Sequence, residues 1–357
     1  MKTRSAILTA ATSAAVLLGT TACSGGLAGQ DTSESLVVVN WSGYGSDLDW
    51  ATKEFQEKTG AEVVHRYISS ETELLELLRS GKGDIDVALP NFQFIGPAMD
   101  DKLIQPLDEA KLENFDEVVP VLAEEEAFRR DGDLYGVPWV WGYSSVFYDT
   151  EEIKEAPSTV ADLWDPKYKG KVALVDDATL NVLLAALYLG EDPNNPDLEK
   201  VEKALLDLKA NSGLITTATE EVAKALSSDT VDIGIFHSSN IAQIAADGIP
   251  VELTLPKEGA VGWGDTWTIA ADTQKEDLAY EWINFVTSSD FEKRWAADPE
   301  AGSPAPANQA AVEALDAESR DRVQADTKVL DKLALQAPLP QETLDAWVDL
   351  WERVKAA

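Results

Sequence analysis

The sequence predicts an α/β protein of two lobes, each a mixed, largely parallel sheet flanked by helices, with a ligand cleft between them. Three observations carry that expectation. Strand-like and helix-like segments alternate between residues 36 and 89, the pattern of a sheet covered on both faces. The alternation halts near 135–142 and restarts at Lys171, so a second unit follows the first. A chain of 357 residues, 45% of them hydrophobic, is long enough to bury two cores.

The first element is an address. Lys2 and Arg4 precede an apolar run over residues 6–18, and small residues at 20–22 lead to Cys23, which is the layout of a secretory signal. The run is shorter than the roughly 20 apolar residues that span a bilayer, and no later stretch approaches that length. Cys23 is the only cysteine and stands where cleavage would make it the N-terminus. Residues 1–22 resemble a bacterial lipoprotein signal with Cys23 as the lipidated residue, although Thr20 occupies a place usually held by Leu. Plain secretion with an incidental cysteine is the alternative. Residues 23–35 read as a polar tether. The folded part is therefore expected outside the cytoplasm, anchored by lipid to the outer face of the cell membrane or held in the periplasm.

Residues 36–39 form a β-branched run ending in Asn40-Trp41-Ser42-Gly43-Tyr44, a buried strand followed by a loop. Helical spacing then runs over 47–59 through Leu48, Ala51 and Phe55 and stops at Gly60. A strand over 61–67, a helix over 71–79 and a strand over 84–89 follow, the last stopped by Pro90. In such sheets ligands gather at the C-terminal ends of strands, which draws attention to the loops 40–44 and 90–94. Beyond 135–142 the pattern gives a strand at 171–175, a helix at 181–189, a strand at 231–237, a helix at 240–247 and strands at 251–255 and 261–270. Helices dominate from Lys275. No repeat of fixed period is present.

Composition narrows the functions. Sixty-four Asp and Glu against 29 Lys and Arg give a formal charge of −35, and this much carboxylate repels a phosphate backbone, so nucleic acid is not an expected partner. A single cysteine excludes a thiolate zinc site, a haem attachment pair and a disulfide framework. His65 and His237 are the only histidines available to activate a nucleophile, and His65 lies inside a strand. The chain has no nucleophile elbow, no phosphate-binding loop and no dinucleotide fingerprint. Asp176-Asp177 follows a strand, where acids commonly complement the start of a helix. No catalytic residue, metal or cofactor is therefore expected. The acidic surface fits solubility, a salty habitat or attraction of cations, and charge alone does not choose among them.

Aromatic and acidic residues recur together at the predicted strand ends: Trp41 with Tyr44, Phe92 with Phe94, Trp139 with Trp141, Asp176 with Asp177, then His237, Trp263, Asp265 and Trp267. Any one of these rings is most simply core. As a group they suit an organic cation, because ring faces attract it and carboxylates supply the opposite charge.

The motifs at 40–44, Phe-Gln-Glu-Lys-Thr-Gly at 55–60, Asp-Ile-Asp-Val-Ala-Leu-Pro at 84–90 and Gly-Val-Pro-Trp-Val-Trp-Gly at 136–142 occur in this order. They are followed by Ala-Asp-Leu-Trp-Asp-Pro-Lys-Tyr-Lys-Gly-Lys at 161–171, Val-Asp-Asp-Ala at 175–178, and Pro-Lys-Glu-Gly before Trp263-Gly264-Asp265. With these motifs the chain resembles the spermidine/putrescine-binding proteins of ABC transporters, in the type II periplasmic-binding-protein superfamily, from about residue 36 onward.

The resemblance implies a lobe 1 of 36–140 plus 264–308 and a lobe 2 of 141–263 plus 309–357. It further implies a monomeric receptor that closes on a linear polyamine and delivers it to a permease without making or breaking a bond. Trp41, Ser42 and Tyr44 would line one wall and Asp177 would hold one charged end. Trp263 would pack on the methylene chain, Asp265 would meet an amine, and Gln336 would reach in from the late segment. Phe92, Gln93, Phe94, Trp141 and His237 complete the expected ligand-binding set. The chain departs from the pattern at Gly43 and Leu180, where acids are expected, at His237, where a Trp is expected, and at Ser303, where a Tyr is expected. Those lost acids favour an alternative ligand, a quaternary ammonium or zwitterionic amine such as choline, betaine or γ-aminobutyrate. A more distant alternative is an extracytoplasmic hydrolase using Asp176 or Asp177 with His237.

Overall fold

The computed structural model describes residues 35–81 and 83–357; the signal segment, Cys23 and the tether to residue 34 lie outside the described residues. The strands are β1 (Ser35–Trp41), β2 (Glu62–Ile68), β3 (Val87–Ala88), β4 (Arg129–Arg130), β5 (Asp133–Leu134), β6 (Val137–Asp149) and β7 (Val172–Val175). They continue with β8 (Ser212–Thr216), β9 (Ile233–His237), β10 (Val251–Thr254), β11 (Ala260–Ile269), β12 (Ala305–Pro306) and β13 (Leu333–Leu335). β4 and β5 form a two-stranded sheet of their own, and the remaining strands form one mixed sheet in the order β2-β1-β3-β11-β6-β9-β7-β8, with β10 and β12 on β6 and β13 on β11.

Parallel pairing holds at the two flanks, where β1 joins β2 and β3 and where β7 joins β8 and β9. The middle is antiparallel: β11 pairs with β3 and β6, and β6 with β9. All 13 residues of β6 are buried, as a strand covered on both faces requires. Its run through aromatic and small residues lacks the simple alternation that marks a strand in sequence, so the expected pattern breaks off where this strand begins.

Two hydrophobic cores lie along this sheet. The first gathers Phe55, Trp139, Trp267, Trp282 and Trp295. The second gathers β7, the helix Ala178–Leu189, and Trp347 and Trp351 of the C-terminal helix Gln341–Ala356. The stretch after 308, expected in lobe 2, sends Val312, Leu315, Val323, Ala325 and Leu330 into the first core. β6 and β11 pass from one core to the other: Trp141 and Trp267 belong to the first, Phe147 and Val261 to the second.

Two local departures bear on the site. The third strand, expected over 84–89, is only Val87–Ala88. Asp86 is buried beside it and accepts hydrogen bonds from Val37 N at 2.8 Å and Lys275 Nζ at 3.0 Å. The segment expected as the loop 90–94 instead starts a helix, Phe92–Asp100, whose N-cap Asn91 accepts from Gln93 N through its side chain. Pro97 and Gly96 hid that helix, since both read as breakers. No helix among the described residues is long and apolar enough to cross a membrane.

Candidate functional site

The end of β1 presents Trp41, and the loop after it presents Tyr44. Buried Asn40 holds it, donating to Ser46 Oγ at 2.8 Å and to the Tyr44 carbonyl at 3.3 Å. The Tyr44 ring stands edge-on to Trp139 and Trp295, with centroids 5.9 and 5.7 Å away, so its hydroxyl has one direction left. It donates to Asp265 Oδ2 at 2.7 Å, while Asn91 Nδ2 approaches Oδ1 at 3.4 Å. Burial outweighs these two hydrogen bonds and pushes the Asp265 carboxyl up to about 6.

β11 sets the next pair of groups. Trp263 and Asp265 are two residues apart and share a face of the strand, and Gly264 between them faces the other way. Both neighbouring glycines are required by close approach. A Cβ at Gly264 would lie 2.3 Å from Phe92 Cζ and 2.7 Å from the Val140 carbonyl, and one at Gly142, directly across from Trp263, would lie 2.4 Å from its indole. The motif ending at Gly142 therefore makes room for a ring.

Opposite lies the second core's contribution. Asp177 precedes the helix Ala178–Leu189 and caps it, its Oδ1 accepting from Leu180 N at 2.6 Å. Its surface opens to the cavity, yet the surrounding protein is dense enough that desolvation raises its carboxyl, only partly offset by the cap bond. Neighbouring Asp176 turns away and binds Trp351 Nε1 and Lys355 Nζ, both at 2.8 Å, tying down the C-terminal helix. The acidic pair thus divides into one structural residue and one facing the site. His237 ends β9 with its ring edge-on to Trp263 and Nδ1 2.9 Å from Ser144 Oγ. Burial keeps that imidazole below its ordinary value. Ser144 is itself wholly buried.

These groups enclose a cavity of about 480 Å³. Of the residues expected from sequence, the structure brings together Trp41, Tyr44, Asp177, His237, Trp263, Asp265 and Gln336. Gln336, 9% exposed, is held by its backbone N–H on the Gly262 carbonyl. Ser42, Phe92, Gln93, Phe94 and Trp141 do not line it. Trp141 is 0% exposed and spends its indole N–H on the Pro306 carbonyl at 3.0 Å. Phe92 packs on Phe128 with centroids 4.7 Å apart, and Gln93 is buried in the same first turn of helix. Phe94 bridges both cores, while Ser42 faces solvent.

Glu71, Asn91, Ser239 and Asn240 also line the cavity, and the sequence pattern does not point to them. Asn91 carried a signal, being a cap-forming residue at a strand's C-terminal end. Glu71 carried none beyond the acid common to helix starts. The lining holds three carboxylates, Glu71, Asp177 and Asp265, and no Lys or Arg. No group of three or more His, Cys, Asp and Glu among the described residues is placed to hold a metal ion. Chemically, the hollow offers negative charge and ring faces to a guest.

Mixed sheet, flanking helices and a ring-and-carboxylate hollow between two cores define a solute-binding protein. The chain belongs to the bacterial extracellular solute-binding protein family, which it matches over residues 50–330. It is 28% identical over 269 residues to the spermidine/putrescine-binding periplasmic protein of Escherichia coli K12, spanning 74% of this chain and 76% of that one. Identity to the spermidine/putrescine-binding periplasmic protein 1 of Haemophilus influenzae is 29% over 299 residues, 80% and 81% of the two chains. Among solved structures, the spermidine/putrescine ABC transporter substrate-binding protein PotD from Streptococcus pneumoniae has the same type II periplasmic-binding-protein fold. The two superimpose with a TM-score of 0.76 at 25% identity, over 91% of this chain and 99% of that one.

Proposed function

We propose that this protein is the receptor of an ABC importer, capturing a linear polyamine, putrescine or spermidine, between its two lobes and delivering it to a permease. The observation that carries this reading is the cavity lined by three carboxylates and the indoles of Trp41 and Trp263 with no Lys or Arg. A carboxylate that loses hydration when a ligand is enclosed is compensated by a cation that brings N–H donors. Rings flanking the cavity suit a methylene chain and its ammonium ends. Two relatives at 28 and 29% identity, both named for spermidine and putrescine, support the ligand class.

A quaternary ammonium would satisfy the rings and leave the carboxylates without hydrogen-bond donors. A zwitterion would bring its own carboxylate against three others. The cavity therefore favours amines with N–H donors at both ends. Closure would follow as a population shift, because a ligand touching both cores binds the closed arrangement better than the open one. On this reading the protein works as a monomer outside the cytoplasm, tethered through lipid on Cys23.

Isothermal titration of the chain lacking residues 1–22 with putrescine, spermidine, choline, betaine and γ-aminobutyrate tests the proposal. Saturable heat with at least one of the two polyamines is expected. Silence for both, beside a clear signal from another amine, overturns it.

A further inference from the structure

Glu71 opens the helix Glu71–Ser80 immediately after the N-cap Ser70. A carboxylate there ordinarily points to water or back to the chain. This one faces the cavity beside Asp265, and its Oε2 is enclosed with no hydrogen-bond partner. Asp265 is better provided, with the Tyr44 hydroxyl on one oxygen and Asn91 at a long 3.4 Å from the other. Two carboxylates thus share one corner, where the short Tyr44 bond goes to Asp265 and the Asn91 backbone N–H bears on Glu71. Gly43 and Leu180 stand where the family resemblance implies acids. Glu71 returns a negative charge to the cavity from a different element.

We infer that Glu71 is a ligand-binding carboxylate that, with Asp265, makes this corner specific for a primary ammonium terminus. The inference rests on the receptor reading above and deepens it. A primary ammonium has three N–H donors and can bond Glu71 Oε2 and the under-served Asp265 Oδ1 together. A quaternary ammonium presents only methyl groups and leaves the Glu71 oxygen unserved, which is costly in a desolvated site.

Proton linkage follows from the same geometry. Burial first, and then the charge of Asp265, hold the Glu71 carboxyl well above the ordinary carboxylate range, and burial raises Asp265. The titratable groups facing the pair are Tyr44 from the loop after β1 and, across the cavity, Asp177 and His237. Tyr44, held high by burial, stays neutral rather than anionic, and His237, held low by burial, supplies no positive charge near neutrality. Both shifts favour the protonated carboxyls and an arriving ammonium favours the ionised ones, so binding is expected to weaken as pH falls.

The test is titration calorimetry of the wild type, Glu71→Gln, Glu71→Asp and Ser42→Ala at pH 5.5 and 7.5, in two buffers of different ionisation enthalpy. Putrescine, spermidine and choline are the probes, and thermal melts confirm that each variant is folded. Glu71→Gln is expected to lose roughly 10- to 100-fold in affinity for the amines the wild type binds while choline affinity changes by less than about twofold. Glu71→Asp is expected to recover part of the loss and Ser42→Ala to match the wild type. Amine binding to the wild type should release protons, and fewer in Glu71→Gln. A folded Glu71→Gln that binds polyamine as tightly as the wild type, with the same proton count, overturns the inference and leaves the receptor reading standing. A wild type silent to every polyamine overturns the receptor reading itself.

Discussion

Asp265 holds the two demands on this protein in opposition. It is 4% exposed and its carboxyl is raised to about 6, against an ordinary value near 3.8. Between those two values the folded chain binds more protons than the unfolded one, so the contribution of this group to stability falls as pH rises through the window. Above pH 6 the ligand-free protein carries a deficit of about 3 kcal/mol from this group. Asp265→Asn is therefore expected to melt several degrees higher than the wild type at pH 7.5 without ligand, with the gain shrinking toward pH 4. On the receptor reading the same change weakens putrescine binding roughly 10- to 100-fold. Melting curves at the two pH values and one titration check both signs. A variant destabilised at pH 7.5 would show that the carboxylate stabilises the empty fold. Trp141 shows the limit of single-residue reading, since nothing in its motif distinguishes an indole that spends its N–H on the Pro306 carbonyl from one that faces a ligand.

Among the elements, β6 and β11 decide where the site lies. Both run from the first core to the second, and their antiparallel register sets Trp263 against Gly142 and Gly264 against Trp141. The two glycines predict different failures. Alanine at 264 meets a backbone carbonyl 2.7 Å away as well as the Phe92 ring. Backbone does not yield cheaply, so Gly264→Ala should cost roughly 1–3 kcal/mol of stability and shift β11 with its two site residues. Alanine at 142 meets only atoms of the Trp263 side chain among its three nearest neighbours, so it should displace that ring, lowering ligand affinity more than the melting temperature. Paired melts and titrations of the two variants test this, and equal loss of stability would refute it. The helix Phe92–Asp100 was illegible for a related reason. Gly96 and Pro97 lie inside its nine residues and read as breakers, which masks the helical period. Amphipathic elements such as the helix Glu71–Ser80 were legible within a residue or so.

At the scale of the whole molecule, two cores joined by crossing strands are a hinge-like arrangement, and the cavity takes Tyr44, Glu71 and Asp265 from one side and Asp177 and His237 from the other. A ligand that touches both sides favours the closed arrangement by the free energy of every interaction that opening would break. Saturating putrescine is accordingly expected to reduce the radius of gyration measured by small-angle X-ray scattering, and to do so less in a folded Glu71→Gln variant at the same concentration. An unchanged radius with full occupancy would rule out closure as the response to ligand.

Sequence alone determined the alternating α/β pattern, the strong acidity and the recurrence of rings beside carboxylates, because periodicity, charge and residue type are local properties. Of the residues it singled out, Trp41, Tyr44 and Asp177 lie at or near strand ends and Trp263 and Asp265 lie within β11, and all five line one cavity. Tertiary structure decided which of the aromatic candidates became core, turned Asp176 toward the C-terminal helix, and brought Glu71 to within the field of Asp265 across nearly two hundred residues of chain. Such choices depend on which atoms the folded sheet leaves facing one another, and no spacing along the chain encodes that.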